Sequence, residues 1–585
     1  MSQRTLAVLA LVALVAAGCV GPTETVAPAD TQSSLDRAGL SVERFLALPG
    51  QSLWIPASSD GTELHVRLFL PDLSSDSDWR APTLLVMSPY FAPASREDPD
   101  DTASPPGYFR YKWLLENFVP RGYAVVFADV RGTGESGGCL EQTATLQSQD
   151  GYDLVEWIAA QPWSNGRVGM FGKSYDGETQ QATATLAPPH LTTIVPVSSV
   201  SGQYEWNFYD GVPYTLHNFF GNFFYGTGEG MDPPSSVQGW RNYGSRPLCQ
   251  PEMFVHGLDT SGDWDEYWEV REFRKRADDV RASVLYVHGL QDWNVKPVAI
   301  RDWFDRIPSE KRAVLGQWAH DYPEENRFRP EWSRPDWREL VHRWYDHWLL
   351  GLDNGILDDL PPVQVQDSSG TWRREAAFPP ADAASFALHF APGALVLEPP
   401  PAFEPLFFRE NIEAFARSAG APVPTVPPPV APPNEALVFE SDPLSQTIHV
   451  SGWPTVTFRF TVVDSLTGGT DPHFAFVLYD VSPDGKAQWI NRGYLSARHR
   501  DGVENPKPTP MREPIDYTVR FFPADTVVEA GNRLRLVLSG SDGWTQPEGS
   551  FWAGVVESGT LSLPVVERDW NAVRLPVEFG EPVKS

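Results

Sequence analysis

Two serines in the chain sit between glycines, where a hydroxyl can be presented at a sharp turn as a nucleophile. Gly134-Glu135-Ser136-Gly137-Gly138 matches G-x-S-x-G letter for letter. In Gly172-Lys173-Ser174-Tyr175-Asp176-Gly177 the second glycine falls one place late. The pattern carries chemistry only where a strand runs into a helix, because that turn lifts the hydroxyl above the sheet edge. Val168-Gly169-Met170-Phe171 leads into Ser174 as a strand, and 178–186 follows with helix-compatible residues. The helix start beyond the serine also favours developing negative charge. Ser136 follows a strand too, but it runs into Gly137-Gly138-Cys139 with no helix behind it. Ser174 is therefore the expected nucleophile and Ser136 a loop residue.

A serine alcohol needs a base to take its proton and an acid to orient that base. In strand–turn–helix serine enzymes the partners follow in the order Ser, Asp/Glu, His. The strand pattern at 283–287 runs into Leu290-Gln291-Asp292-Trp293-Asn294, and that at 312–316 runs into Gln317-Trp318-Ala319-His320. Both partners thus fall at C-terminal strand ends, where α/β sheets gather their ligand-facing groups. His288 ends its strand, where local bonding is expected, and His342 and His347 share a helical pattern with Trp344 and Trp348. His190 and His217 have no partner pattern. A tetrahedral oxyanion also needs donors. The backbone N–H of Tyr175 follows the nucleophile, and the Tyr90 hydroxyl, in Ser88-Pro89-Tyr90, is the second candidate, with packing as its other reading.

The elements that must position these groups alternate short apolar strands with helices from about 64 to 318, the pattern of a mostly parallel sheet. Strands are expected at 64–70, 83–88, 123–130, 167–171, 192–197, 283–287 and 312–316, with helices at 151–160, 178–187, 297–307 and 334–350. The class is α/β: a catalytic domain over 41–202 and 282–355, interrupted by an aromatic-rich helical cap at 203–281 that includes Trp206, Tyr214, Phe219, Phe220, Phe223, Phe224 and Tyr225. From 361 to 585 the alternation switches to period two, which predicts a β-sandwich of jelly-roll type. Its strands are expected at 456–463, 474–479, 515–521, 533–538 and 559–564, and the proline-dense 421–433 reads as an extended loop.

Forty-six Lys and Arg against 76 Asp and Glu give a net charge of −30, which disfavours a nucleic-acid partner, because phosphate binding needs basic patches. An apolar run from Thr5 to Ala17 ends in Ala16-Ala17-Gly18-Cys19, so 1–19 reads as an export signal whose Cys19 becomes lipidated, with 20–40 as a flexible tether. The expectation is an exported protein held at a membrane by its lipid. Cleavage as an ordinary secretory signal is the alternative. That leaves Cys139 and Cys249, which an oxidising compartment would join and which otherwise remain two structural thiols. Nothing in the spacing of three cysteines suggests a metal, and no cofactor motif is present.

Ser88-Pro-Tyr, Asp129-Val-Arg-Gly-Thr-Gly-Glu-Ser-Gly-Gly, the stretch from Trp163 to Gly177, and His288-Gly-Leu-Gln-Asp-Trp-Asn-Val-Lys together resemble the Xaa-Pro dipeptidyl-peptidase family, which shares its fold with cocaine esterase and the glutaryl/cephalosporin acylases. The resemblance implies an α/β-hydrolase fold, a Ser174–Asp292–His320 triad, and an oxyanion hole formed by the Tyr90 hydroxyl and the Tyr175 amide. It implies a peptide substrate with proline second, or in the alternative branch a small ester or amide. It further implies an acidic group for the substrate's α-ammonium, for which Glu205 and Asp210 are the candidates, and a substrate contact at Trp293. The chain departs from the family pattern at Asp176, where an aliphatic residue is usual, and at 203–207. An inactive ligand-binding lipoprotein is the remote alternative, and it sits poorly with a complete triad.

Overall fold

The computed structural model describes residues 40–91, 111–214, 237–239, 241–242, 249, 251–327, 329–409, 436–465, 471–545 and 552–568. The signal, tether and Cys19, the cap aromatics Phe219 to Tyr225, His217 and the proline-dense 421–433 lie outside these residues.

Ten strands form the first sheet: β1 (Gln51–Pro56), β2 (Glu63–Phe69), β3 (Ala81–Ser88), β4 (Ala124–Asp129), β5 (Ser164–Lys173), β6 (Leu191–Val197), β7 (Ser283–Gly289), β8 (Lys311–Gly316), β9 (Val363–Gln366) and β10 (Trp372–Glu375). Their order is β1-β2-β4-β3-β5-β6-β7-β8-β9-β10. The run from β4 through β9 is parallel, and the antiparallel pairs are β1–β2, β2–β4 and β9–β10.

Apolar residues without alternation make strands that are buried on both faces. In β3, Leu85 and Met87 face one core while Leu84 and Val86 face the other. On the first face lies α1 (Thr145–Ala159), which contributes Leu154, Val155 and Ile158. On the second lies α3 (Trp337–Tyr345), an amphipathic helix contributing Trp337, Val341 and Trp344. Between β5 and β6 runs α2 (Tyr175–Ala184), all ten residues of which are buried.

The sheet extends past the expected boundary. The residues of β9 and β10 fall inside the β domain expected from 361 on. Instead β9 pairs parallel to β8, and Gln366 Oε1 accepts from Gln317 N at 3.1 Å while the Gln317 side chain donates to Gln366 O at 2.9 Å. The glutamines are thus buried and satisfied in the sheet rather than solvated.

The described part of the cap is mixed. It holds short helices at Gln203–Asn207, Pro251–Leu258 and Glu266–Glu269, and a two-residue ribbon pairs Phe208–Tyr209 with Val212–Pro213. The C-terminal domain is mostly β. Its twelve strands form one hydrogen-bonded, barrel-like system around the 14-residue strand Trp552–Val565, and the phenylalanines Phe458, Phe460, Phe474 and Phe476 fill its core. Tyr209, Val212 and Tyr214 of the ribbon pack on Tyr494, Phe522 and Trp544 of this domain, so the cap segment is clamped between the two domains.

Candidate active site

β5 ends in the turn that carries Ser174. This residue has φ 64° and ψ −128°, a left-handed conformation that costs a non-glycine residue about 1–3 kcal/mol and persists where surroundings over-determine it. They do so here. Ser174 N donates to Val197 O at 2.9 Å, and Ser174 O accepts from Gly177 N at 2.8 Å and Glu178 N at 2.9 Å. Gly172 has φ 154°, and a Cβ there would lie 2.5 Å from Asp176 Cβ. A Cβ at Gly177 would lie 2.7 Å from Ser199 Cβ. The late second glycine therefore marks where α2 crosses the loop after β6. Asp176 fills the place between: it is buried and accepts a hydrogen bond from the Tyr111 hydroxyl.

Ser136, the literal match, is fully buried. Its hydroxyl donates to Asp129 O at 2.7 Å and accepts from His65 N at 2.8 Å, so it ties β4 to β2.

Asp292 and His320 stand on the loops after β7 and β8. Asp292 Oδ2 accepts from His320 Nδ1 at 2.9 Å, and Asp292 Oδ1 accepts from Asn294 N at 2.9 Å and Val295 N at 2.8 Å. Burial alone would raise this carboxyl; the paired His320 and the Val295 N–H outweigh it and hold the group below its ordinary value. The two loops close because residue 289 is glycine, where a Cβ would lie 2.1 Å from Trp318 O. Lys173 Nζ donates to His320 O at 3.1 Å and so ties the His320 loop to the end of β5 beside Ser174. No hydrogen bond joins the Ser174 hydroxyl to His320 among the described residues. Such contacts are commonly long before substrate binds.

His288 is buried with Nε2 2.9 Å from Val295 O and Nδ1 2.6 Å from the Tyr286 hydroxyl. Burial lowers its pKa against the pull of Asp292 3.7 Å away, which makes it a neutral prop for the Asp292 loop. His342 is likewise buried, and its pKa is pushed down to about 3.

Ser174 opens on a cavity of about 100 Å³ that Tyr90, Tyr175, Glu178, Gln203, Trp206, Asn294 and Val295 also line. The Tyr90 and Tyr175 rings meet edge-on with centroids 6.3 Å apart. The Tyr175 hydroxyl donates to Gln147 Oε1 at 2.8 Å. Cys139 and Cys249 are joined in a disulfide whose Cα atoms are 5.6 Å apart.

Three expected substrate contacts are not brought to this cavity. The Glu205 carboxylate pairs with Arg274. Its chain neighbours set it there: Lys296 Nζ donates to the carbonyls of Glu205 and of Trp206, the latter at 2.9 Å, and turns Trp206 to the cavity wall. Asp210, at φ 42°, offers its carbonyl to Ser496 N of the β domain at 3.0 Å. The Trp293 ring packs 4.8 Å from Trp544 and lines a separate interdomain cavity of about 630 Å³. The family resemblance suggested these three. The tertiary course of the cap and the β domain turned them away. Glu178, Gln203 and Asn294 were missed as cavity residues, and the only available signal was Glu178 one helical turn after Ser174.

Residues 60–322 match the family model described as X-Pro dipeptidyl-peptidase (S15 family), and 354–548 match that of the X-Pro dipeptidyl-peptidase C-terminal non-catalytic domain. A Bacillus anthracis relative named as a candidate Xaa-Pro dipeptidyl-peptidase is 25% identical over 546 residues, covering 88% of this chain and 86% of its own. The fold is shared with a CocE/NonD family hydrolase from Staphylococcus aureus (TM-score 0.68, 17% identity, 93% of this chain and 99% of that one). It is also shared with an alpha-amino acid ester hydrolase (TM-score 0.68, 21% identity, 93% of this chain and 100% of that one). The class is thus a hydrolase of serine type on the α/β-hydrolase fold, followed by a barrel-like β domain. Within that class, the chain belongs to the X-Pro dipeptidyl-peptidase (S15) family.

Proposed function

We propose that the protein removes N-terminal dipeptides that have proline in second place, through an acyl-enzyme on Ser174. The observation that carries the reading is the pairing of half-buried His320 with buried Asp292 at neighbouring strand ends, tied by Lys173 to the strained turn that presents Ser174. His320 Nε2 takes the Ser174 proton as Oγ attacks the carbonyl carbon, and Asp292 holds the Nδ1–H tautomer and stabilises the imidazolium. The oxyanion is held by the Tyr175 N–H and the Tyr90 hydroxyl. The amine leaves with the proton from His320, and water then repeats the sequence to release the dipeptide. Losing one oxyanion donor typically costs about 2.7–4 kcal/mol of transition-state stabilisation.

The rival within the class is an esterase or amidase. Comparing kcat/KM on alanyl-prolyl-4-nitroanilide and on short-chain aryl esters separates the two, since the peptidase reading fails if the esters are far better substrates. Ser174→Ala should lower kcat by a factor on the order of 10⁶ on the preferred substrate. Activity surviving in that variant overturns the nucleophile assignment.

The same proposal places the mature protein outside the cytoplasm, anchored through lipidated Cys19. The Cys139–Cys249 disulfide supports an oxidising compartment. Cys19→Ser should move the protein from the membrane fraction to the soluble one. An unchanged distribution counts against the anchor.

A further inference from the structure

Among the described residues, no cation stands beside the buried carboxyl of Glu178. Glu178 lies on the first turn of α2, with its N–H bonded to Ser174 O, and its side chain lines the cavity on which Ser174 opens. Only 3% of its surface is exposed. Both of its hydrogen-bond donors are neutral, the Thr143 hydroxyl and the Gln203 side-chain amide, and both reach Oε1. Oε2 accepts no hydrogen bond, and no ion pair forms at Glu178, among the described residues. Three other buried carboxylates of this protein do meet a cation: Asp150 pairs with Arg131, Glu205 with Arg274 and Asp525 with Arg373.

A desolvated carboxylate is expensive unless a charge of opposite sign completes it. Here burial pushes the group up to about 7, opposed only by its two hydrogen bonds. The support is nonetheless built. Gln142 and Thr143 both adopt positive φ (50° and 58°), and Thr143 N is fixed by Gln147 Oε1 at 3.1 Å, the same atom that accepts the Tyr175 hydroxyl. One polar chain therefore runs from the residue after the nucleophile, through Gln147 and Thr143, to Glu178 and across to Gln203 of the cap. It holds an acceptor at a fixed place with its counter-ion left out.

We infer that the missing counter-ion is the free α-ammonium of the substrate, and that Glu178 is the residue that restricts cleavage to peptides with an unblocked N-terminus. The inference rests on the dipeptidyl-peptidase reading above and replaces Glu205 and Asp210 in that role. In an extended dipeptide the α-nitrogen lies roughly 6 Å from the second carbonyl carbon, and Ser174 and Glu178 line one and the same small cavity. The cavity of about 100 Å³ between them suits a small first residue.

The test compares the full-length protein and Glu178→Gln on alanyl-prolyl-4-nitroanilide and on propionyl-prolyl-4-nitroanilide, which lacks only the amine. The wild type should prefer the amine-bearing substrate. The variant should lose kcat/KM on the order of 100-fold on it, and within about tenfold on the amine-free analogue. A wild type indifferent to the amine overturns the peptidase reading itself. A wild type that prefers the amine, with a variant that keeps the preference or loses both activities equally, overturns the role of Glu178 alone. The wild type supplies a second measurement that needs no variant. Among the described residues, the groups that bond to Glu178 or line its cavity with it carry no charge, so the ratio of the two kcat/KM values should rise with pH through about 7 as Glu178 ionises. Steps common to both substrates cancel in that ratio, and the peptide ammonium stays largely charged below its pKa of about 7.7–8.0. A flat ratio from about pH 5.5 to about pH 7.5, a range that runs from well below this titration to just past it, overturns the inference.

Discussion

Catalysis by a serine depends on a histidine held in one tautomer, and Asp292 is the group that does this holding. Its two oxygens divide the work: Oδ1 is fixed by the N–H groups of Asn294 and Val295, and Oδ2 is left for His320 Nδ1. Asp292→Asn keeps the shape but offers an amide N–H or a carbonyl where an anion stood. The expected result is a fall in kcat of about 10⁴ with little change in KM, measured by steady-state kinetics on alanyl-prolyl-4-nitroanilide. A rise in KM with kcat unchanged would mean that Asp292 acts in binding. The neighbouring His288 is buried and bonded at both nitrogens, so it offers no substitute base.

At the scale of elements, three loops at the C-terminal ends of β5, β7 and β8 must converge, and each convergence has a local cause. Gly172 and Gly177 let α2 start immediately beneath the turn, Gly289 lets the Asp292 loop lie on the His320 loop, and Lys173 bonds the latter back to β5. The cap segment has a fourth tie. Cys249 is bonded to Cys139, which follows the glycine-rich loop after β4, across 110 residues of sequence. Closing so long a loop in the unfolded chain stabilises the native state by about 2–4 kcal/mol. The Cys139→Ser/Cys249→Ser double variant should therefore unfold several degrees lower in calorimetry, and reductant should lower the wild type to match. An unshifted Tm in both would show that the bond does not restrain the unfolded chain.

On the scale of the whole molecule, the catalytic sheet and the β domain share a buried charge network. Arg373 of β10 donates twice to Asp525 of the β domain at 2.6 Å, and Asp525 also meets His449 Nε2 at 2.9 Å and Ser451 Oγ at 2.6 Å. Burial would raise the Asp525 carboxyl, but the Arg373 guanidinium and His449 hold it well below the usual carboxylate range. Asp525→Asn takes from the buried Arg373 guanidinium its doubly bonded carboxylate and leaves it that of Glu375, at a cost of up to about 3–5 kcal/mol. The sign of the pH dependence follows from the lowered pKa. The contribution is complete above the ordinary value of 3.8 and is lost as pH falls below it, because the unfolded chain then binds the proton first. The gap in stability between wild type and Asp525→Asn should thus be constant near neutrality and narrow below about pH 4 in urea titrations. A gap independent of pH would remove Asp525 as its cause.

The amino-acid sequence by itself determined what is local. The strand before Ser174, the helix after it, the glycines around it and the strand-end positions of Asp292 and His320 follow from residue types within a few positions of each other. For that reason the Ser174 turn was legible although its letters miss the usual pattern. Only the tertiary structure decided what faces what across long separations. Trp293 turns to Trp544, Glu205 to Arg274, and β9 and β10 join the catalytic sheet because partners far along the chain compete for those surfaces. Glu178 shows the same limit from the other side. In sequence it is one more polar residue in the first turn of a helix, where acidic residues are common. Its burial against Thr143 and Gln203, 35 and 25 residues away, makes it a carboxyl without a cation among the described residues, and no spacing along the chain encodes that absence.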